Sequence, residues 1–184
     1  MPRAAASASL RTDMRSDEMR SVYLVRHAFA GHADAAQWPD DAKRPLTADG
    51  SERFRAAARG LRVLVPNVER VFSSGFARAW QTAELLHEVS AWPEAEECPA
   101  LEVGRSAASA LDVVRESEEG SVALVGHEPF LSRLASLLCA GGEAALRMKL
   151  KKGGVVSIQI DGDVRAGSGC LIWSVTPKQL RVIA

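Results

Sequence analysis

The chain predicts an α/β protein: a three-layer α/β/α arrangement with a largely parallel central sheet and a C-terminal antiparallel hairpin. Two observations carry this expectation. Short apolar runs alternate with amphipathic segments of helical period through the first two thirds of the sequence, the pattern of parallel strands joined by crossover helices. Two runs rich in β-branched residues, GVVSIQID and GCLIWSVT, then follow one another across a Gly-containing polar link, the signature of a hairpin.

The elements follow in order. SVYLVRH, from residue 21, is an apolar run too short for a helix and reads as a buried strand. Residues 28 to 46 are polar, with Gly31, Pro39 and Pro45, and read as a loop. Thr47 is placed to cap a helix over 48–64, where Phe54, Ala57, Ala58, Leu61 and Leu64 recur at helical spacing and Gly50 is a small cost in the first turn. VERVFSS reads as the second strand, and GFARAWQTAELLHEV as a helix with Phe76, Trp80, Ala83 and Leu86 or Leu85 on one face. Residues 90 to 104 hold Pro93 and Pro99 and are expected to be irregular, with a brief strand at most. SAASALDVVRES is a helix. SVALVGH repeats the apolar run ending in histidine, and EPFLSRLASLLCA is the helix after it, with Leu131, Leu134 and Leu138 inward.

Composition bounds the function classes. The chain has 184 residues, enough for one well-cored domain, so residues 21–184 are expected to form it and residues 1–20, small and polar without a secretory apolar stretch, a loose N-terminal tail. Lys plus Arg and Asp plus Glu are both 23, so no global basic field draws in nucleic acid or an anionic membrane, and any anion site must be local. No apolar run approaches the roughly 20 residues of a membrane helix. Cys98, Cys139 and Cys170 stand far apart with no C-x-x-C pairing, against a disulfide framework or a zinc site. A cytoplasmic setting is the expectation.

Three strands end in the same kind of side chain. The first ends in Arg26-His27, the second in Ser73-Ser74 with Arg78 one turn into the next helix, and SVALVG ends in His127. In a parallel sheet, ligands gather beyond the carboxyl ends of the strands. Neighbouring ends would therefore bring two guanidiniums, two imidazoles and a helix start around one crevice, a set that suits a tetrahedral dianion. Taken alone, Arg78 reads as a solvated surface residue and His127 as either structural or functional; the joint placement singles them out. His32 and His87 have no such partners. Metal binding is not expected, because no two histidines stand at i, i+2 or i, i+4.

These residues resemble a known family. The Arg26-His27 pair, RPLTADG at 44–50, SSGFARAWQT at 73–82 and LVGHEPFLS at 124–132 are similar to the histidine phosphatase superfamily, in order and over residues 21 to about 175. Chain length and motif wording resemble its small branch, the SixA-type phosphohistidine phosphatases. The resemblance implies a phosphoglycerate mutase-like fold, a metal-independent phosphatase without cofactor, and His27 as the nucleophile, forming a phosphohistidine that water hydrolyses. It also implies Arg26, Arg78 and His127 as ligands of the phosphoryl oxygens, with Ser74 as a further substrate contact and Glu102, in PALEVG, as the positional candidate for a general acid. Two departures stand out: Ala28 follows the Arg-His pair where the family usually has glycine, and Ser74-Gly75 replaces a frequent Ser-Pro.

The expected substrate is a phosphohistidine in a protein. Small phosphate esters or nucleotides are the enzymatic alternative, and an idle phosphate-binding module is the alternative from another class. A mutase is disfavoured because the chain lacks the extra length that such members use to enclose substrate. The glycines of CAGGEAALRMKLKKGG lack the G-x-x-x-x-G-K-[ST] spacing, and Lys149, Lys151 and Lys152 read as a solvated charge run. No nucleic acid and no membrane partner is expected, and the sequence assigns no oligomeric state.

Overall fold

The structure, a computed structural model, describes residues 19–184. A six-stranded sheet runs in the order β3-β2-β4-β1-β5-β6, with β1 Met19–Arg26, β2 Arg70–Ser73, β3 Ala95–Glu97, β4 Ser121–Gly126, β5 Val155–Asp161 and β6 Gly169–Val175. The pairs β2–β3, β2–β4 and β1–β4 are parallel, whereas β5 runs antiparallel to both β1 and β6. The parallel sheet with a terminal hairpin is therefore as the sequence predicts. The expected tail over 1–20 lies outside the described residues except for Met19 and Arg20, which already pair with Asp161 and Ile160 of β5.

Helices α1 Ala48–Leu64, α2 Ala77–Ser90, α3 Ala107–Glu116, α4 Phe130–Ala140 and α5 Pro177–Ile183 cover the sheet in two layers. The period-2 alternation of the strands sorts their side chains between the layers. Val22, Leu24, Val122, Leu124, Val156 and Ile158 face one core with Leu111 and Val114 of α3 and Leu131, Leu134 and Leu138 of α4. Val25, Ala123, Val125 and Val155 face the other, with Phe54 and Leu61 of α1, Leu86 of α2, Leu180 of α5 and Trp92. Both faces of the central strands are thus buried, which is why those strands read as continuous apolar runs.

α1 takes the bounds that its period and cap predict: the Thr47 hydroxyl accepts from the Gly50 N–H. The structure changes the reading of Gly50. A Cβ there would lie 2.0 Å from the Phe29 carbonyl oxygen, so glycine is what lets the first turn of α1 press onto the segment that follows His27. α5 is an addition to the sequence reading. It begins with Pro177 behind a reciprocal capping box between Thr176 and Gln179, and it packs on α1 at Gly60, where a Cβ would meet the Leu180 carbonyl at 1.9 Å.

Candidate active site

Sheet register places the histidines. Arg26 pairs with Gly126 across the parallel β1–β4 ladder, so the residues that follow, His27 and His127, leave the sheet at one level. The His27 N–H donates to the Gly126 carbonyl at 3.0 Å, and the two rings lie with centroids 4.9 Å apart. On the other side of β4, the Ser74 N–H donates to the Val125 carbonyl at 3.0 Å, which sets the start of α2 beside the same strand end. Arg78, in the first turn of α2, reaches back with its guanidinium 5.2 Å from the Phe76 ring centre, and Phe76 in turn meets His127 edge-on at 5.0 Å. Arg26, His27, Arg78 and His127 therefore border one cup beyond the carboxyl ends of β1, β2 and β4.

The state of His27 follows from one hydrogen bond. Its Nδ1 lies 2.6 Å from the carbonyl of Ala28, and a carbonyl can only accept, so Nδ1 carries the proton. In the neutral ring the lone pair is then on Nε2. Burial, opposed by the Ala28 bond and reinforced by Arg78, Arg26 and Lys152, pushes the pKa of His27 down from 6.5 to about 3. His127 is likewise lowered to about 3, first by burial and then by His27 and Arg78. His127 is thus neutral in the free protein at neutral pH, and neither of its ring nitrogens has a hydrogen-bond partner although both are buried.

The arginines are held by their ends. Arg78 donates through Nη1 to the Asp41 carbonyl at 2.7 Å and pairs through Nη2 with the Asp41 carboxylate at 3.0 Å, leaving its buried Nε without a protein acceptor. The same carboxylate accepts from Arg44 Nε at 2.7 Å, which holds the Asp41 carboxyl below its usual range. Arg26 donates through Nη1 to the Leu150 carbonyl at 2.8 Å, and its Nε too is buried and unpaired. Burial lowers the pKa of both guanidiniums, against the pull of Glu128 on Arg26 and of Asp41 on Arg78. Buried donors without acceptors, converging on a neutral imidazole, are suited to a ligand rich in acceptor oxygens. Among the described residues no group of three or more His, Cys, Asp or Glu could hold a metal ion.

Thr82 and Lys152 complete the surroundings. The Ala28 N–H donates to Thr82 Oγ1 at 3.0 Å, and that hydroxyl donates to the Arg78 carbonyl at 2.6 Å, so one buried side chain ties the backbone after His27 to α2. Lys152 stands with Nζ 4.9 Å from the Phe29 ring centre. Nothing in the sequence singles out Asp41, Arg44 or Thr82 as site residues. Arg44 and Thr82 lie inside the quoted motifs 44–50 and 73–82, whereas Asp41 lies in a segment that read only as loop and has no local signal.

The remaining candidates lie differently. Ser74 is fully buried, and its Oγ accepts from the Phe76 N–H at 3.4 Å, so it braces the turn into α2. Glu102 follows a short 3-10 turn, Pro99–Leu101, that packs near Gly126; its half-buried carboxylate makes no hydrogen bond or ion pair with the imidazoles or arginines of the cup. His87 bonds to the Trp92 carbonyl at 2.8 Å, away from the cup.

Residues 22–102 match the model of the histidine phosphatase superfamily, branch 1. An uncharacterized protein of Picosynechococcus is 31% identical over 141 residues, covering 75% of this chain and 84% of its own. The phosphohistidine phosphatase SixA of Escherichia coli is 29% identical over 166 residues, covering 88% of this chain and 96% of its own. The chain belongs to the histidine phosphatase superfamily. A solved structure of the protein histidine phosphatase SixA complexed with tungstate superposes with a TM-score of 0.73 at 27% identity, over 87% of this chain and 99% of that one. The superfamily assignment makes the protein an enzyme of phosphatase type, and its α/β fold matches that of this structural relative.

Proposed function

We propose that the protein removes phosphate from phosphohistidine in a protein, passing the phosphoryl group through His27. The observation that carries the reading is the bond from His27 Nδ1 to the Ala28 carbonyl, which leaves Nε2 as the free lone pair within a cup of guanidiniums. In the first step Nε2 attacks phosphorus, the substrate P–N bond breaks, and the electron pair leaves on the substrate imidazole, whose other nitrogen carries the proton it needs. Water then cleaves the P–Nε2 bond, yielding inorganic phosphate and regenerating the neutral ring. Phosphoryl transfer asks mainly for positioning and for charge stabilisation on the three equatorial oxygens. Arg26 and Arg78 supply fixed charge there, and an arriving dianion raises the pKa of His127 so that it donates as well.

Glu102 makes no hydrogen bond or ion pair with the imidazoles or arginines of the cup, which suits a leaving group that departs as imidazole and needs less acid assistance than an alkoxide. Similarity to SixA supports the same substrate class. The three free cysteines support a reducing, cytoplasmic setting. The test is to incubate wild type and His27→Ala with a phosphohistidine protein and with p-nitrophenyl phosphate. Hydrolysis of the first, weak activity on the second and loss of both in the variant are expected; a strong preference for the ester would overturn the substrate assignment.

A further inference from the structure

A second concavity opens beside the cup, with a volume of about 470 Å³. It shares Arg26 and Ala28 with the cup, but neither His27 nor His127 lines it, so it lies to one side of the reacting centre. Phe29, Phe54 and Pro177 give it an apolar floor. Around them stand cations from three separate elements: Arg53 of α1, Lys149 and Lys151 of the segment before β5, and Arg181 of α5. No carboxylate lines it; Asp49 pairs with Arg53 at 2.7 Å on an exposed face, and Glu128, which accepts from the Leu150 N–H at 3.3 Å, attracts Arg26 from outside the lining. The lysines that read as a solvated charge run are therefore part of a shaped, one-signed surface in a protein whose net formal charge is zero.

A substrate whose only anionic group is the phosphoryl in the cup would leave this surface untouched. We propose that the cavity docks an acidic segment flanking the phosphohistidine of the substrate protein, with carboxylates on the cations and an apolar side chain on the Phe29–Phe54 floor. The proposal rests on the phosphohistidine reading and deepens it. A protein segment is the occupant that charge complementarity and placement favour. It spans sideways from the phosphorylated residue, it brings several carboxylates to cations spread over three elements, and it carries apolar side chains for the floor. Lys152 lies at the junction of the two sites, where burial and the charges of Arg26, Arg44 and Arg78 lower its pKa, so an anionic neighbour relieves that crowding as well.

The experiment compares wild type with the triple variant Arg53→Gln, Lys149→Gln, Arg181→Gln, all exposed positions outside the cup. The substrates are phosphoimidazole and two phosphohistidine peptides that differ only in Glu-rich or Gln-rich flanks. Wild type should prefer the Glu-rich peptide about tenfold in kcat/KM, through KM, and added salt should erase the preference. The variant should lose the preference and keep its activity on phosphoimidazole. Equal kcat/KM on both peptides in wild type would overturn the docking proposal and leave the phosphohistidine reading standing, as would an equal loss on phosphoimidazole in the variant. Competitive inhibition by a short dicarboxylate without any peptide preference would assign the cavity to a small anion and also overturn it. A wild type inert on all three substrates would refute the phosphohistidine reading, and the docking proposal with it.

Discussion

Acidification should destabilise this protein well before its carboxylates protonate, because two buried imidazoles are held neutral. His27 and His127 fall from an ordinary pKa of 6.5 to about 3 in the folded state. A depressed histidine pKa means that the unfolded chain binds more protons between those values, so stability is full above pH 6.5 and declines as pH falls toward 3. At pH 5 neither ring has begun to protonate in the folded state, and the unfolded chain gains about 2 kcal/mol from each, a loss of roughly 4 kcal/mol for the pair. That is a large part of the 5–15 kcal/mol typical of a domain, roughly speaking. Asp41 and Glu96, whose folded pKa values are lowered by arginine partners, contribute stability that is lost only as pH falls below their ordinary values of 3.8 and 4.5, so the window from pH 7 to 5 isolates the histidines. Urea unfolding at half-unit intervals, on wild type and on His27→Gln, His127→Gln, measures the slope. The double variant should lose less than about 1 kcal/mol over the window; parallel declines in the two proteins would refute the assignment of neutral, buried rings.

Two other substitutions probe the frame around the cup. Asp41→Asn removes the carboxylate shared by Arg44 and Arg78 while leaving the backbone carbonyl that Arg78 also uses; steady-state kinetics should show kcat/KM on phosphoimidazole falling about tenfold with little change in urea midpoint, since that carboxylate is half exposed. Gly50→Ala forces a Cβ toward the Phe29 carbonyl, so chemical denaturation should show a loss of about 1–3 kcal/mol, accompanied by reduced turnover because the backbone that must shift adjoins His27.

What could be read from the residues depended on whether the cause was local. The bounds of α1 follow from Thr47 and a helical period within one segment, and the hairpin of β5 and β6 from two β-branched runs. The meeting of His27 and His127 was also accessible, since parallel strands of buried composition put their ends on one side of a sheet. α5 had a local signal, Thr176-Pro177 with Gln179 three positions past the cap, but only Leu180 of its seven residues is buried and the periodicity is correspondingly faint. Asp41 is different in kind. Its contacts with Arg78 span 37 residues, and nothing in a polar loop distinguishes one aspartate from its neighbour Asp40 until the chain has folded. The basic cavity is equally a product of assembly, because Arg53, Lys149 and Arg181 share no segment.

Trapping the covalent intermediate is the most direct measurement. Rapid mixing of excess phosphohistidine peptide with the protein, followed by an alkaline quench and peptide mapping, should show close to one acid-labile phosphoryl group per chain on the peptide containing His27, and none in His27→Ala. Turnover of the same substrate with no phosphoryl group on His27, or with the label on another residue, would contradict the claim that its Nε2 attacks phosphorus.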